Sequence, residues 1–448
     1  MRRFFLLTGC LGALLITACT DGSAFPEPTG KGSIRAINAI GTSPTITFLI
    51  EERAIGSMAY KTASSKADFD DFEYTFNFEA RLTGDTQDTR IASQTIQVVK
   101  DVEYTFVVSG DLVAPTITVW ERPEREFTEG DTVLEATFAH MSPALGDVDI
   151  FFADPAIVPA AGNEIGTLTP GEQLPPIDIQ AGEYVLTITT AGMPGATLFT
   201  SDTLSLNATT TIQFMIFDTD GNDRGPVSVR LFDPVTGSAG SIVDPMFPPT
   251  MRFLHASQDL GAVDIFIDDP LTAPILEDQD FRGISAEIDV PAGGLPITYT
   301  AFDNIGSILL ERDVLMFAGT RVDTYVVGEG ASPISITALP DRRSVETFAR
   351  FTVVYTETNH EPLDLYIVET GLDIAEARPR FVGMVAGQDS VVTNLPEGSY
   401  DIYLTVTGEK TIVTGPVQVD LVLGDVVTAI VYDAAETTTA DIILFPAF

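Results

Sequence analysis

Met251-Arg252-Phe253-Leu254-His255-Ala256 and, after a short break, Val263-Asp264-Ile265-Phe266 are the two runs that decide the fold. Each is too short for a helix. Both are rich in branched and aromatic residues, and the second alternates its Asp with apolar neighbours, which is how a strand with one filled face reads. The pair recurs along the chain. Its first member returns as Ser33–Ala39, Glu135–His140 and Ala349–Val354. Its second member returns as Thr45-Ile46-Thr47-Phe48, Val148-Asp149-Ile150-Phe151 and Leu363-Asp364-Leu365-Tyr366.

The rest of each unit follows the same plan. A Gly-bearing turn sits at Gln180-Ala181-Gly182-Glu183-Tyr184, Pro291-Ala292-Gly293-Gly294-Leu295 and Pro396-Glu397-Gly398-Ser399-Tyr400. Glycine suits a positive φ there, and the residue that follows restarts the buried face. A hairpin closes each unit: Tyr104–Val108 with Ile117–Trp120, Thr211–Phe217 with Val227–Phe232, Val322–Val327 with Ile334–Leu339, and Val426–Tyr432 with Asp441–Phe445. The alternation in Val322-Asp323-Thr324-Tyr325-Val326 predicts a strand with one wet face. Pro123–Asp131, Val235–Pro249 and Asp341–Thr347 read as linkers that limit bending without abolishing it. The expected architecture is therefore all-β: four tandem Ig-like antiparallel β-sandwich domains at 32–122, 133–234, 250–342 and 347–448, which together would form an extended rod. The first lacks a recognisable Gly turn and reads as the most divergent.

The N-terminus predicts where these domains reside. Met1-Arg2-Arg3 precedes an apolar stretch from Phe4 to Ala18, the form of a secretory signal peptide over residues 1–18. It ends in Leu15-Ile16-Thr17-Ala18-Cys19, which resembles a lipobox. That resemblance implies acylation of the Cys19 thiol, palmitate being a typical chain, and cleavage before it. Several acyl chains anchor stably where one does not. Residues 19–31 then form the lipidated cysteine and a flexible tether. Thr20 follows the cysteine, and the absence of Asp there, by resemblance to enterobacterial lipoprotein sorting, implies the cell outer membrane, on its periplasmic or its surface face.

Composition narrows the partners. The formal charge is −40, with 24 basic and 64 acidic side chains, and only five lysines occur. Such a surface repels nucleic acid, so no nucleic-acid partner is expected. Cys10 leaves with the signal and Cys19 carries lipid, so the domains contain no disulfide and rest on their cores.

The Arg-Phe-Leu-His-Ala-Ser core at 252–257, the Val-Asp-Ile-Phe run at 263–266 and the Val290-Pro291-Ala292-Gly293 turn resemble the family called domain of unknown function 4397. The resemblance is good for the third unit, fair for the second, and extends to the fourth and first by internal repetition. It implies tandem Ig-like sandwiches in an exported bacterial protein and no established activity. The second unit departs at Met141-Ser142-Pro143, and the fourth has Tyr355 and no histidine in that region, so no site is shared by every copy.

Few residues present catalytic or ligand chemistry. His140 and His255 end equivalent strands and are expected to cap the turn that follows. His360, before Pro362, stands elsewhere. With three scattered histidines and no domain cysteine, no zinc or other transition-metal site is expected. Asp149, Asp264 and Asp364 recur once per domain, with Thr47 in the first unit, and should point away from the core as solvated or turn-anchoring groups. They form no catalytic pair. Asp218-Thr219-Asp220-Gly221-Asn222-Asp223 is the sharpest local motif, with oxygens at alternate positions as Ca²⁺ prefers. Gly falls fourth in it, and Val229 stands where a bidentate Glu would be needed, so the turn of the closing hairpin is the expected role. Gly237-Ser238-Ala239-Gly240 is one residue too tight for a nucleophile elbow. Trp120 reads as a packing residue. No cofactor and no enzyme activity are expected. The functional expectation is a non-catalytic binding, adhesion or scaffold role in the envelope, with an envelope protein or polysaccharide as partner. The alternative is a glycan- or substrate-capture lipoprotein that uses loops at one sandwich end.

Overall fold

The computed structural model describes residues 27–446 except 234–237, 269, 329–332, 339–340, 359–361, 388–391 and 434–439. Cys19 and the signal stretch, His360, Gly237, and parts of the closing turns at 328–330 and 433–435 lie outside the described residues. The regular structure of the described residues is strand apart from two single 3₁₀ turns, Pro143–Leu145 and Gln258–Leu260. Among the described residues no helix is long and apolar enough to cross a membrane.

The first unit sets the pattern with β1 (Lys31–Asn38), β2 (Ile46–Ile50), β3 (Arg53–Met58), β4 (Ala67–Asp70), β5 (Glu73–Ala80), β6 (Thr89–Gln97), β7 (Val102–Gly110) and β8 (Pro115–Pro123). One sheet runs β4-β1-β7-β8 and the other β3-β2-β5-β6. Ile34, Ala36, Phe48, Phe76, Phe78 and Phe106 from both sheets close on one core. The same two-sheet arrangement, each with its own core, repeats around Phe138, Phe253 and Phe351. In every unit the strand that opens it runs parallel to the strand that begins its closing hairpin. In the first unit these are β1 and β7, with Ser33 opposite Glu103 and Asn38 opposite Val108. The all-β sandwiches are thus antiparallel as expected except for this one pairing in each, which makes its sheet mixed: the two strands share a direction because the intervening chain passes through the opposite, wholly antiparallel sheet.

The outer faces of these mixed sheets meet in pairs. Ile37, Tyr60 and Val107 of the first unit pack against Ala139, Met141, Met215, Phe217 and Phe232 of the second, with Trp120 at the margin. Leu254, Ala256, Tyr325 and Val327 of the third unit pack against Val354, Ile430 and Tyr432 of the fourth. Each mixed sheet is therefore covered on both faces, and the units stand back to back in pairs rather than spaced along a rod. This corrects the wet-face reading of the third closing strand: Asp323, Thr324 and Tyr325 are at most 1% exposed. Alternation signals two different faces, and here the second face meets another sheet instead of water.

The linkers also carry structure. Ala239–Ile242, within the expected second linker, is a strand that adds to the second unit's closing hairpin, so that unit extends past 234. Within Asp341–Thr347, Arg343 Nη1 donates to the carbonyls of Gly41 and Ser43, and the Glu346 amide donates to the Thr42 carbonyl, both in the first unit.

Candidate functional site

His140 and His255 occupy matching places and make matching bonds. The Ser142 amide donates to His140 Nδ1 at 3.4 Å, and the Ser257 amide donates to His255 Nδ1 at 3.3 Å. With Nδ1 accepting, Nε2 carries the proton, which it donates to the carbonyl of Gly146 at 2.8 Å and of Gly261 at 2.7 Å. Each ring thus fastens the 3₁₀ turn after its strand, as expected for a cap. Asn38 does the same in the first unit: its Oδ1 accepts from the Ile40 amide two residues on, and its Nδ2 donates to Ser43 Oγ. Asparagine presents an acceptor and a donor much as a neutral imidazole does, so the residue types differ while the turn is held alike.

Burial holds both imidazoles below the usual histidine range. Below about pH 6.5 the unfolded chain therefore binds protons that the folded chain refuses. The stability contributed by each neutral ring is full above that pH and is lost as pH falls through it toward the lowered folded value. The denaturation midpoint of the full chain should drop between about pH 7.5 and about pH 5.5, and the His140→Asn, His255→Asn double variant should show a flatter profile. His255→Ala should cost about 1–3 kcal/mol through unpaired buried polar groups. A wild-type midpoint unchanged across this range would refute the assignment.

The repeated aspartates anchor turns from a buried position rather than a solvated one. Asp149 accepts from Thr167 Oγ1 and from the Gly192 amide. Asp264 accepts from the amides of Asp278 and Asp303, and Asp364 from those of Gly383 and Gly408. Each carboxylate points off the core face, as the alternation implied, but the flanking turns fold over it and leave it at most 6% exposed. Both oxygens are engaged by the fold itself.

The Asp218–Asp223 motif lies in a ten-residue loop between the strands Thr211–Phe217 and Ser228–Phe232, longer than a tight hairpin turn. The cation at it is a side chain of this protein. Lys61 of the first unit places Nζ 3.2 Å from Asp220 and closer still to Asp223. Asp218 accepts from Ser142 Oγ and the Ala144 amide, while its carbonyl accepts from the Tyr60 hydroxyl. Asn222 exchanges bonds with the linker between the third and fourth units: Nδ2 donates to Asp341 Oδ1, and Oδ1 accepts from the Arg342 amide. Gly221 is needed for this approach, since a Cβ there would fall 2.3 Å from the Arg342 carbonyl oxygen. The motif joins units. Among the described residues no three His, Cys, Asp or Glu side chains gather as metal ligands would.

Buried arginines brace the paired sheets. Arg35 and Arg252 occupy the same position in two opening strands, Arg350 stands two residues earlier in that of the fourth unit, and all three are buried. Arg35 donates to Thr105 Oγ1 and, across the pair of units, to Gln213 Oε1 at 2.6 Å; burial, with Arg122 nearby, lowers its pKa to about 10. Arg252 forms two bonds to Asp323, which also accepts from Arg342. The signal was present as an arginine repeated amid apolar neighbours, where the alternation reading assigns it to solvent. The exposed aromatics among the described residues are Phe302 and Phe317, which flank the strand Asn304–Met316 at opposite ends, about 40 Å apart at strand rise. Trp120 packs in the interface of the first pair.

Residues 32–151 match the family model described as domain of unknown function DUF4397. The match covers the first unit and the first two strands of the second, so the unit that reads as most divergent carries it. No curated protein matches the chain. Among solved structures, the Bacillus anthracis TIE protein is similar at 9% identity and a TM-score of 0.16, over 91% of this chain and 76% of that one. The major pilin subunit of Bacillus cereus, BcpA, is similar at 8% identity and a TM-score of 0.15, over 90% of this chain and 99% of that one. At such scores neither likeness carries an argument.

Proposed function

We propose that the chain is a non-catalytic lipoprotein of the outer membrane, held through acyl chains on Cys19, that serves the envelope as a binding or scaffold protein. The observation that supports this most is how the recurring polar side chains are used. His140, His255, Asp149, Asp264 and Asp364 have their ring nitrogens or carboxylate oxygens engaged by their own units. General acid–base work needs such groups positioned toward a reacting partner. Capture of glycans by clustered loop aromatics is less favoured, because Phe302 and Phe317 stand at opposite ends of one strand.

Two experiments test the reading. Cys19→Ser should leave the protein unacylated and released from membranes, and retention of that variant in detergent-free membranes would refute the anchor. Envelope extracts passed over the full chain should yield a specific envelope protein or polysaccharide. A turnover in a hydrolase screen that one carboxylate or histidine substitution abolishes would refute the non-catalytic role.

A further inference from the structure

We propose that the cavity where the first, second and fourth units meet binds a small hydroxylated oxyanion, a sugar acid or sugar phosphate of monosaccharide size. The cavity has a volume of about 330 Å³, at the lower end of the range for small-ligand sites, about 300–1,000 Å³. Thr45 and Asn394, both exposed, stand at its lining where it meets solvent. Its walls carry four cations: Lys61 from the first unit, Arg230 from the second, Arg343 from the linker and Arg350 from the fourth. Only two carboxylates, Asp220 and Asp341, share that lining. The balance is the reverse of a chain with 64 acidic and 24 basic residues.

Both carboxylates are already engaged. Asp220, together with Asp223 just outside the lining, holds Lys61, and Asp341 holds Arg350 and accepts from Asn222. Arg230 and Arg343 are left with neutral partners. Arg230 donates Nη1 to Ser241 Oγ, and Arg343 donates Nη1 to the Gly41 and Ser43 carbonyls. Among the described residues neither guanidinium has a carboxylate oxygen within 4 Å. Such bonds fix the two groups in place without a direct ion pair, Asp341 and Asp220 acting on Arg343 only from beyond contact, and a planar guanidinium suits carboxylate and phosphate alike. Burial and then the adjacent Arg350 push Arg343 below the ordinary arginine range, a crowding that a bound anion would relieve. The exposed Asn394 and Thr45 add amide and hydroxyl groups fitted to sugar hydroxyls.

The proposal does not depend on the anchor or on the scaffold role. Calorimetric titration of the full chain at constant ionic strength tests it, with galacturonate, glucose 6-phosphate, glucose and inorganic phosphate as separate ligands. Galacturonate and glucose 6-phosphate are expected to bind and glucose to give no heat. Arg343→Gln and Arg230→Gln should each weaken binding by about tenfold or more. Asn394→Leu, at the exposed rim where folding is not at risk, should block entry. A preference for galacturonate would assign the anion as a carboxylate, and a preference for glucose 6-phosphate as a phosphate. Inorganic phosphate binding as well as either sugar would overturn the sugar component. Binding of glucose alone, no binding of any anion, or undiminished binding in the Arg230→Gln, Arg343→Gln double variant would overturn the site.

Discussion

Residues 250–342, expressed alone, will associate or remain largely unfolded, whereas residues 250–448 will be monomeric and unfold cooperatively. The shorter fragment contains a complete sandwich core around Phe253, Ile265 and Tyr299, and repeat logic alone would have it fold independently. Its mixed sheet, however, presents Leu254, Tyr325 and Val327, which are buried only with the fourth unit in place through Val354, Ile430 and Tyr432. Burying one large apolar side chain contributes roughly 1.5–3 kcal/mol, so losing several approaches the whole stability of a small domain, about 5–15 kcal/mol. The stripped face is also a contiguous apolar patch, which promotes association. Size-exclusion chromatography and denaturant titration of the two fragments decide the matter. A monomeric 250–342 fragment with the midpoint of the longer one would show that the pairing contributes little.

The second large effect is expected at Asp323. Its carboxylate is 1% exposed and serves two buried guanidiniums, with Arg252 Nε at 3.0 Å, Arg252 Nη2 at 2.5 Å and Arg342 Nη2 at 3.2 Å. Asp323→Ala removes the anion and leaves both cations in place, which should destabilise the chain by about 3–5 kcal/mol. Adding Arg252→Met to that variant should recover part of the loss, because an apolar side chain of similar length no longer needs a partner. Denaturant unfolding of the third and fourth units together reads both effects. A loss below about 1 kcal/mol for Asp323→Ala would mean that the triad is solvated in solution.

Much of this architecture was legible from residue types alone. The recurrence of Val148-Asp149-Ile150, Val263-Asp264-Ile265 and Leu363-Asp364-Leu365 locates the second strand of three units, and the closing hairpins fall where their alternation places them. What stayed hidden has one physical origin: a sequence pattern reports that a face is distinct from the core without reporting what covers it. Asp323 and Tyr325 read as one wet face and are sealed under another sheet. Asp149 and its counterparts read as solvated or turn-anchoring groups, and they do anchor turns, which also roof them. The parallel pairing of β1 with β7 is set between strands about seventy residues apart and leaves no local mark. The loop at Asp220 and Asp223 has the oxygen spacing of a cation site, but its cation, Lys61, lies more than 150 residues away in sequence. Asn38 escaped notice as the counterpart of His140 because the correspondence lies in hydrogen-bonding capacity, which residue-by-residue similarity does not register.

The back-to-back sheets set a rule of parity on how such a chain can lengthen or shorten through evolution. A single repeat added at either end would bring a mixed sheet with one uncovered face, and a single repeat lost would strip the cover from its neighbour. Two repeats gained or lost together leave every such face sealed. Duplication in this lineage is therefore expected to leave even-numbered arrays, and an odd-numbered relative should carry polar substitutions at the positions of Leu254, Tyr325 and Val327, or supply the missing half from a second chain.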